Sequence, residues 1–231
     1  MSSPGRARTQ AALDLAAVIA IGLVLRMLVL RHVPALVAGP SSVVLTVVAA
    51  TLLLRRRGLN WRSLGLARPS SLRALVGWTL LTYFCCMAVV VAANLVMLRF
   101  TRLPPQDLSV LAAIHGNKAL YLYMLVAVVW GSAAPGEELL FRGFVMTRLL
   151  AIVGGDGFAA RALAVLGQAA LFAAGHAYLG PRGVIDAGLL GAVLATTYFC
   201  NGRNLWPMII AHGMIDTLSI TLIYFGFGLP H

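Results

Sequence analysis

Residues Ala119 to Leu150 read ALYLYMLVAVVWGSAAPGEELLFRGFVMTRLL. An apolar run of about 20 residues crosses the roughly 30 Å hydrocarbon core of a bilayer as a helix. This run is too long for one simple span, and it carries Glu137, Glu138 and Arg142 in its interior. A charge at that depth costs at least about 2.5 kcal/mol on insertion scales, so it faces a cavity or a partner and marks a site. The stretch therefore predicts a membrane helix with a polar centre. Glu138 and Arg142 are four apart with the acid first, the favourable order for an ion pair on one helical face. Glu137 lies about 100° around the helix, cannot share that arginine equally, and is left available for chemistry. Pro135 and Gly136 are expected to loosen the hydrogen-bond ladder and kink the helix beside the acids. Irregular backbone at membrane depth is tolerated only where protein or water meets it, which implies a wet cavity there.

The rest of the chain extends this reading. Of 231 residues, 60% are hydrophobic and only 11% charged, and the mean hydropathy is +0.90. Soluble domains are near half apolar and a quarter charged, so a soluble enzyme, a disordered tail and a secreted disulfide scaffold are excluded. Seven spans are predicted: Ala11 to Leu30, Ala35 to Leu54, Leu75 to Leu98, Ala119 to Leu150, Ala159 to Tyr178, Val184 to Cys200 and Leu205 to Phe227. The fold class is all-α, a polytopic membrane bundle of about seven to eight transmembrane helices around a polar intramembrane cavity. Met1 to Gln10 is a basic lead-in, and the run after it is too long for a signal peptide's apolar core and lacks a clear A-x-A cleavage site, so it reads as a retained first helix. No internal repeat or second domain is evident. Within one membrane domain, residues 1–118 form N-terminal helices with a basic linker, and residues 119–231 a helical core holding the buried polar groups.

The formal net charge of +11 suggests a nucleic-acid partner, but the basic residues lie mostly between apolar runs and no basic soluble module exists to carry that function. With the N-terminus in the cytoplasm, Arg6, Arg8, Arg55, Arg56, Arg57, Arg62, Arg68, Arg73, Arg148, Arg161 and Arg203 share that side. Only Arg31, Arg99, Arg102, Lys118 and Arg182 fall opposite, so the positive-inside rule places the N-terminus in the cytoplasm of a multi-pass cell-membrane protein. Gly58 to Ala74 reads as an interfacial helix or a solvated basic loop, and Thr101 to Lys118 as an external loop. Cys85, Cys86 and Cys200 have neither metal-ligand spacing nor a disulfide framework and read as core residues.

Three more ionisable groups fall within spans: His176 in LFAAGH, and His212 with Asp216 in AHGMID. His212 and Asp216 are stacked on one face, where the carboxylate can fix the imidazole tautomer. Phe172, four before His176, reads as a wall of the same site. No HExxH is present, although Glu137, His176 and His212 make a conceivable His2Glu zinc set. Ser132 lacks a nucleophile motif, and GGDG at Gly154 to Gly157 falls in a loop with no partner aspartate motif. Asp14, Arg26 and Asp186 read as snorkelling or interhelically paired groups, and Gly183, Gly188 and Gly191 as permitting close helix packing. At 1.5 Å per residue, this topology sets Glu137 and His212 nearer the cytoplasmic side and His176 nearer the outer side, a mismatch that tilt, the Pro135 kink or a later start to the long fourth span must absorb.

In this order EELLFRG, FAAGH and HGMID resemble the EExxxR, FxxxH and HxxxN/D motifs of the CAAX-protease and bacteriocin-processing (CPBP) family of intramembrane glutamate endopeptidases. The resemblance covers about Ala119 to Phe227, including GLLGAVLATTYFCNGRNLWPMIIAHGMID. It implies that Glu137 is the general base that activates water, that His176 positions the water or shares its proton, and that His212, oriented by Asp216, stabilises the oxyanion. Glu138 and Arg142 would hold the base in place. No cofactor is implied, and the zinc set stands as the alternative. Many members have asparagine where this chain has Asp216, so a side-chain NH2 donor is replaced by a group that donates only when protonated. The expected partners are a membrane-associated peptide or protein substrate and the lipid bilayer, with no nucleic acid. The competing expectations are a transporter or channel using the buried charges as an ion path, and a catalytically silent immunity or scaffold protein.

Overall fold

The computed structural model describes residues 4–229; residues 1–3 of the basic lead-in and residues 230 and 231 of the C-terminal segment lie outside the described residues. Seven helices are long and apolar enough to cross a membrane, and among the described residues there is no strand. They are α1 (Pro4–Leu30), α2 (Ala35–Arg56), α3 (Leu72–Phe100), α4 (Lys118–Val153), α5 (Phe158–Gly175), α6 (Gly180–Cys200) and α7 (Leu205–Tyr224). The chain is a multi-pass membrane protein. Large apolar side chains such as Phe84, Leu95 and Leu98 are exposed on its flanks, as lipid-facing positions must be, because lipid leaves no hydrophobic drive to bury them.

Local chemistry sets most of the helix ends. Ser71 caps α3 by accepting from Ala74 N (3.1 Å), and Asn117 caps α4 by accepting from Leu120 N (3.0 Å). Gly154, at φ 79°, closes α4 in the left-handed conformation. Helix α1 begins at Pro4 rather than Ala11, so the described part of the basic lead-in is helical: its arginines occupy the first turns instead of a loop. Helix α5 stops at Gly175, short of the expected Tyr178, and a single 3-10 turn (Ala177–Leu179) leads into α6, which starts four residues before Val184.

The overlong fourth span is one continuous helix of 36 residues. Its hydrogen-bond ladder widens to π spacing over Met124–Ala133 and Glu138–Val145, with one α-helical turn, Ala134–Glu137, between them. Pro135 lies in that turn, so the ladder loosens there by passing into π register on both sides. Helix α4 is central and touches α1, α2, α5, α6 and α7, while α5 and α6 make the most extensive helix pair.

The linker after α2 is a basic loop rather than an interfacial helix: Arg62 and Arg68 are exposed, while Leu64 turns inward and is buried. Asn60 and Ser63 form a capping box around one 3-10 turn, Trp61–Leu64, and the chain then folds back across the bundle. Trp61 Nε1 donates to Thr51 Oγ1 (2.9 Å), Tyr198 Oη to Leu64 O (3.1 Å), and Leu205 N to Gly65 O (2.9 Å). Gly65 has φ 105°, and a Cβ there would collide with Arg203 O, so only glycine lets the linker seat on the α6–α7 turn. The linker thus roofs the end of the bundle that holds the α4–α5 and α6–α7 turns. Those two turns are tied together by Asp156, which accepts from Arg161 Nε and Nη2 (3.0 and 3.2 Å) and from Arg203.

Candidate active site

Glu138 and Arg142, one turn apart on α4, are both 0% exposed. Arg142 Nη1 donates to Glu138 Oε1 (2.7 Å), and its Nη2 donates to Gly191 O of α6 (3.2 Å). Phe172 of α5 lies beneath the guanidinium, 4.7 Å from its ring centroid, in the geometry of a cation–π contact. Phe141 packs edge-on against the same ring at 5.0 Å. The expected wall residue is therefore also part of the cradle for Arg142.

His212 departs from the expected wiring. Its Nδ1 lies 2.8 Å from Glu138 Oε1, so Glu138 fixes the ring and receives hydrogen bonds from both Arg142 and His212. Asp216 lies on the other edge, 3.5 Å from Nε2, where Glu137 Oε2 also stands at 3.9 Å. The imidazole is thus surrounded by three carboxylates, and the one that orients it at hydrogen-bond distance is Glu138 rather than Asp216. The i,i+4 stacking of His212 and Asp216 is present; the pairing to Glu138 arises because α7 runs beside α4 at this level.

The second oxygen, Oε2, is buried without a hydrogen-bond partner in both Glu137 and Glu138 among the described residues; what sets Glu138 apart is its Oε1, which takes the bonds from Arg142 and His212. Side-chain exposure falls in steps, from 30% at Asp216 through 16% at Glu137 and 8% at His212 to 0% at Glu138 and Arg142. Glu137 thus lies between the open Asp216 and the sealed Glu138–Arg142 pair.

His176 caps the end of α5. Its Nδ1 lies 2.8 Å from Phe172 O; a carbonyl only accepts, so Nδ1 carries a proton and Nε2 is the ring nitrogen left free of that contact. The ring stacks on Tyr178 (centroids 6.1 Å, 28°) and on Phe172 (4.6 Å). Phe172 also lies 6.1 Å from His212. Aromatic contact thus brings the two histidine segments to one level, and the helix ends absorb the depth mismatch: His176 sits one turn beyond Phe172, where α5 has already ended.

Residues 117–218 match the family model described as type II CAAX prenyl endopeptidase Rce1-like. The chain carries an Rce1-like domain of the CPBP family. The Rce1-like match opens at Asn117, the cap of α4, and closes two residues past Asp216, so it spans every segment that meets around Glu138. The matched family is one of endopeptidases, and the match covers a little under half of the chain. No curated protein and no solved structure gives a match.

Several participants in the Rce1-like site carry no motif. Gln168, fully buried on α5, donates through Nε2 to Gly191 O (3.0 Å), the carbonyl that also receives Arg142. Its one legible signal is its spacing, four before Phe172 and eight before His176. Asp14 accepts from Arg57 (2.8 Å) and from Arg148 (3.4 Å), which ties α1 to the end of α4 outside the site. Asp186 likewise accepts from Asn94 (2.9 Å) and Gln106 (2.7 Å) and ties α6 to α3 and to the loop that follows it. A groove of about 670 Å³ lies between α3, α4 and α7, with Trp130 donating to Thr217 (3.1 Å) at its edge. Ser132 bonds back to Val128 O (3.1 Å) as a satisfied helix hydroxyl. Among the described residues no cluster of three or more His, Cys, Asp or Glu has metal-holding geometry.

Proposed function

We propose that the chain hydrolyses a peptide bond of a membrane-associated peptide or protein, with Glu137 as the general base. The observation that carries this reading is the Glu137 carboxylate, whose buried Oε2 is unpartnered beside an imidazole, next to a glutamate whose Oε1 takes the hydrogen bonds of both Arg142 and His212. Water bound at Glu137 loses a proton to the carboxylate as its oxygen forms a bond to the peptide carbonyl carbon. His176, with Nδ1–H spent on Phe172 O, accepts a hydrogen bond from that water through Nε2. His212 stabilises the oxyanion through Nε2–H; because Nδ1–H is given to Glu138, this role requires a proton on both ring nitrogens. The C–N bond then breaks, and Glu137 returns the proton to the departing amine. Asp216 and Glu138 balance the charge on His212, and Glu138 with Arg142 anchors the segment that carries the base.

The arginine distribution supports an orientation in the cell membrane with the N-terminus and the roofed end of the bundle on the cytoplasmic side. Reconstituted protein incubated with membrane-tethered peptides, lipidated and unlipidated, tests the reading. Cleavage abolished by Glu137→Gln is expected; no cleavage of any peptide, or cleavage undiminished in that variant, overturns it. Metal analysis of active protein decides the zinc set of Glu137, His176 and His212: stoichiometric zinc whose removal ends turnover would replace the metal-free mechanism.

A further inference from the structure

A glutamine amide wholly inside a membrane bundle calls for an explanation, because each unsatisfied polar group in hydrocarbon is costly and small apolar residues already pack helices well. Gln168 is 0% exposed, its Nε2 is committed to Gly191 O at 3.0 Å, and its Oε1 has no partner among the described residues. Gly191 O is no ordinary helix carbonyl, since Arg142 Nη2 also donates to it at 3.2 Å. Four hydrogen bonds therefore run in series across four helices. Gln168 of α5 donates to Gly191 O of α6, Arg142 of α4 donates to the same oxygen and to Glu138 Oε1 (2.7 Å), and His212 of α7 donates to that Oε1 (2.8 Å).

The close fit behind this series is visible at Gly191. A Cβ there would come within 3.3 Å of Gln168 Nε2 and 3.4 Å of both Ala169 Cα and Phe172 Cβ, so the absence of a side chain lets α6 bring its carbonyl up to α5. Helix α5 thus holds Arg142 in two ways: Phe172 lies directly on the guanidinium, and Gln168 fixes the carbonyl that the guanidinium must reach.

We propose that Gln168 is a positioning residue for the site: it holds Gly191 O against Arg142, which sets Glu138 Oε1 where it orients His212. The proposal rests on the peptidase reading for its effect on turnover, and on geometry alone for its effect on His212. Without the amide, Gly191 O is held from α5 by nothing polar, Arg142 loses its fixed third point, and Glu138 shifts away from Nδ1. Substrate contacts are untouched, because Gln168 is sealed beneath Arg142.

The test is Gln168→Leu in full-length protein, with Gln168→Met, which keeps the length without the donor, used where the leucine variant does not fold. Turnover on a cleaved peptide is expected to fall about tenfold in kcat with KM unchanged. In protein labelled with 15N-histidine, the ring resonance of His212, assigned by its loss in His212→Asn, is expected to shift, while that of His32, on the far turn after α1, stays in place. An unmoved His212 resonance overturns the proposal even if activity falls, since a packing defect alone lowers activity. A loss expressed in KM with kcat intact overturns it as well. If the wild-type protein cleaves nothing, the peptidase reading falls, and the His212 resonance alone decides the wiring.

Discussion

Two adjacent glutamates behave as different groups because their neighbours differ. Glu138 is sealed and receives two hydrogen bonds on one oxygen, from a guanidinium and an imidazole. Removing it leaves Arg142 buried without a counter-charge, and breaking such a pair costs about 3–5 kcal/mol. Glu138→Leu should therefore lower the thermal midpoint in detergent sharply and abolish cleavage together. Glu137 has no partner to lose, so Glu137→Gln should stay within about 0.5 kcal/mol of wild-type stability, yet lose at least about a hundredfold in turnover, the usual contribution of a general base. Thermal unfolding and peptide cleavage on the same two preparations check both. A Glu137→Gln variant as unstable as Glu138→Leu would show that the first glutamate is structural. The ion pair was legible from i,i+4 spacing. The second bond to Glu138 was not, because His212 is 74 positions away and no local pattern encodes which helix lies beside which.

Among the elements, hydropathy alone located all seven spans, because no other structure satisfies its backbone inside lipid. Their ends were less legible, since they depend on contacts between distant segments. The roofing linker shows this most clearly: its arginines suggested a surface loop, but Trp61, Leu64 and Gly65 fold inward onto Thr51, Tyr198 and Leu205. Gly65→Ala forces a positive-φ residue against Arg203 O and should cost about 1–3 kcal/mol, read as a lower unfolding midpoint. Asp156, between α4 and α5, carries a pH signature. Hydrogen bonds from Arg161 and the charge of Arg203 hold its carboxyl below the ordinary range. A depressed folded-state pKa contributes stability above the unfolded value that is lost as pH falls through the folded one. The stability gap between wild type and Asp156→Asn should thus be open at neutral pH and close below the ordinary carboxylate range, as measured by unfolding midpoints across an acid series. A gap independent of pH would show that the turn is held by something else.

Across the whole molecule, the matched residues 117–218 are not packed as a free-standing unit. Val43 of α2 is close enough to Gly136 that a Cβ there would strike it, and Asp14 of α1 pairs with Arg148. Residues 117–231 expressed without the preceding helices should therefore show no cooperative unfolding transition, and co-expression of residues 1–116 should restore one. A sharp transition from the fragment alone would show that α1 to α3 are dispensable. Their role was illegible because motifs mark chemistry, whereas α1 and α2 supply only surface for α4 to lie against.

The graded exposure of the site runs from Asp216, its most open group, down to the sealed Glu138–Arg142 pair. In the proposed reaction, incoming water, substrate and both product ends then share the mouth nearest Asp216. A product fragment lodged in that mouth blocks the next water as well as the next peptide, so release of product gates the start of each new cycle.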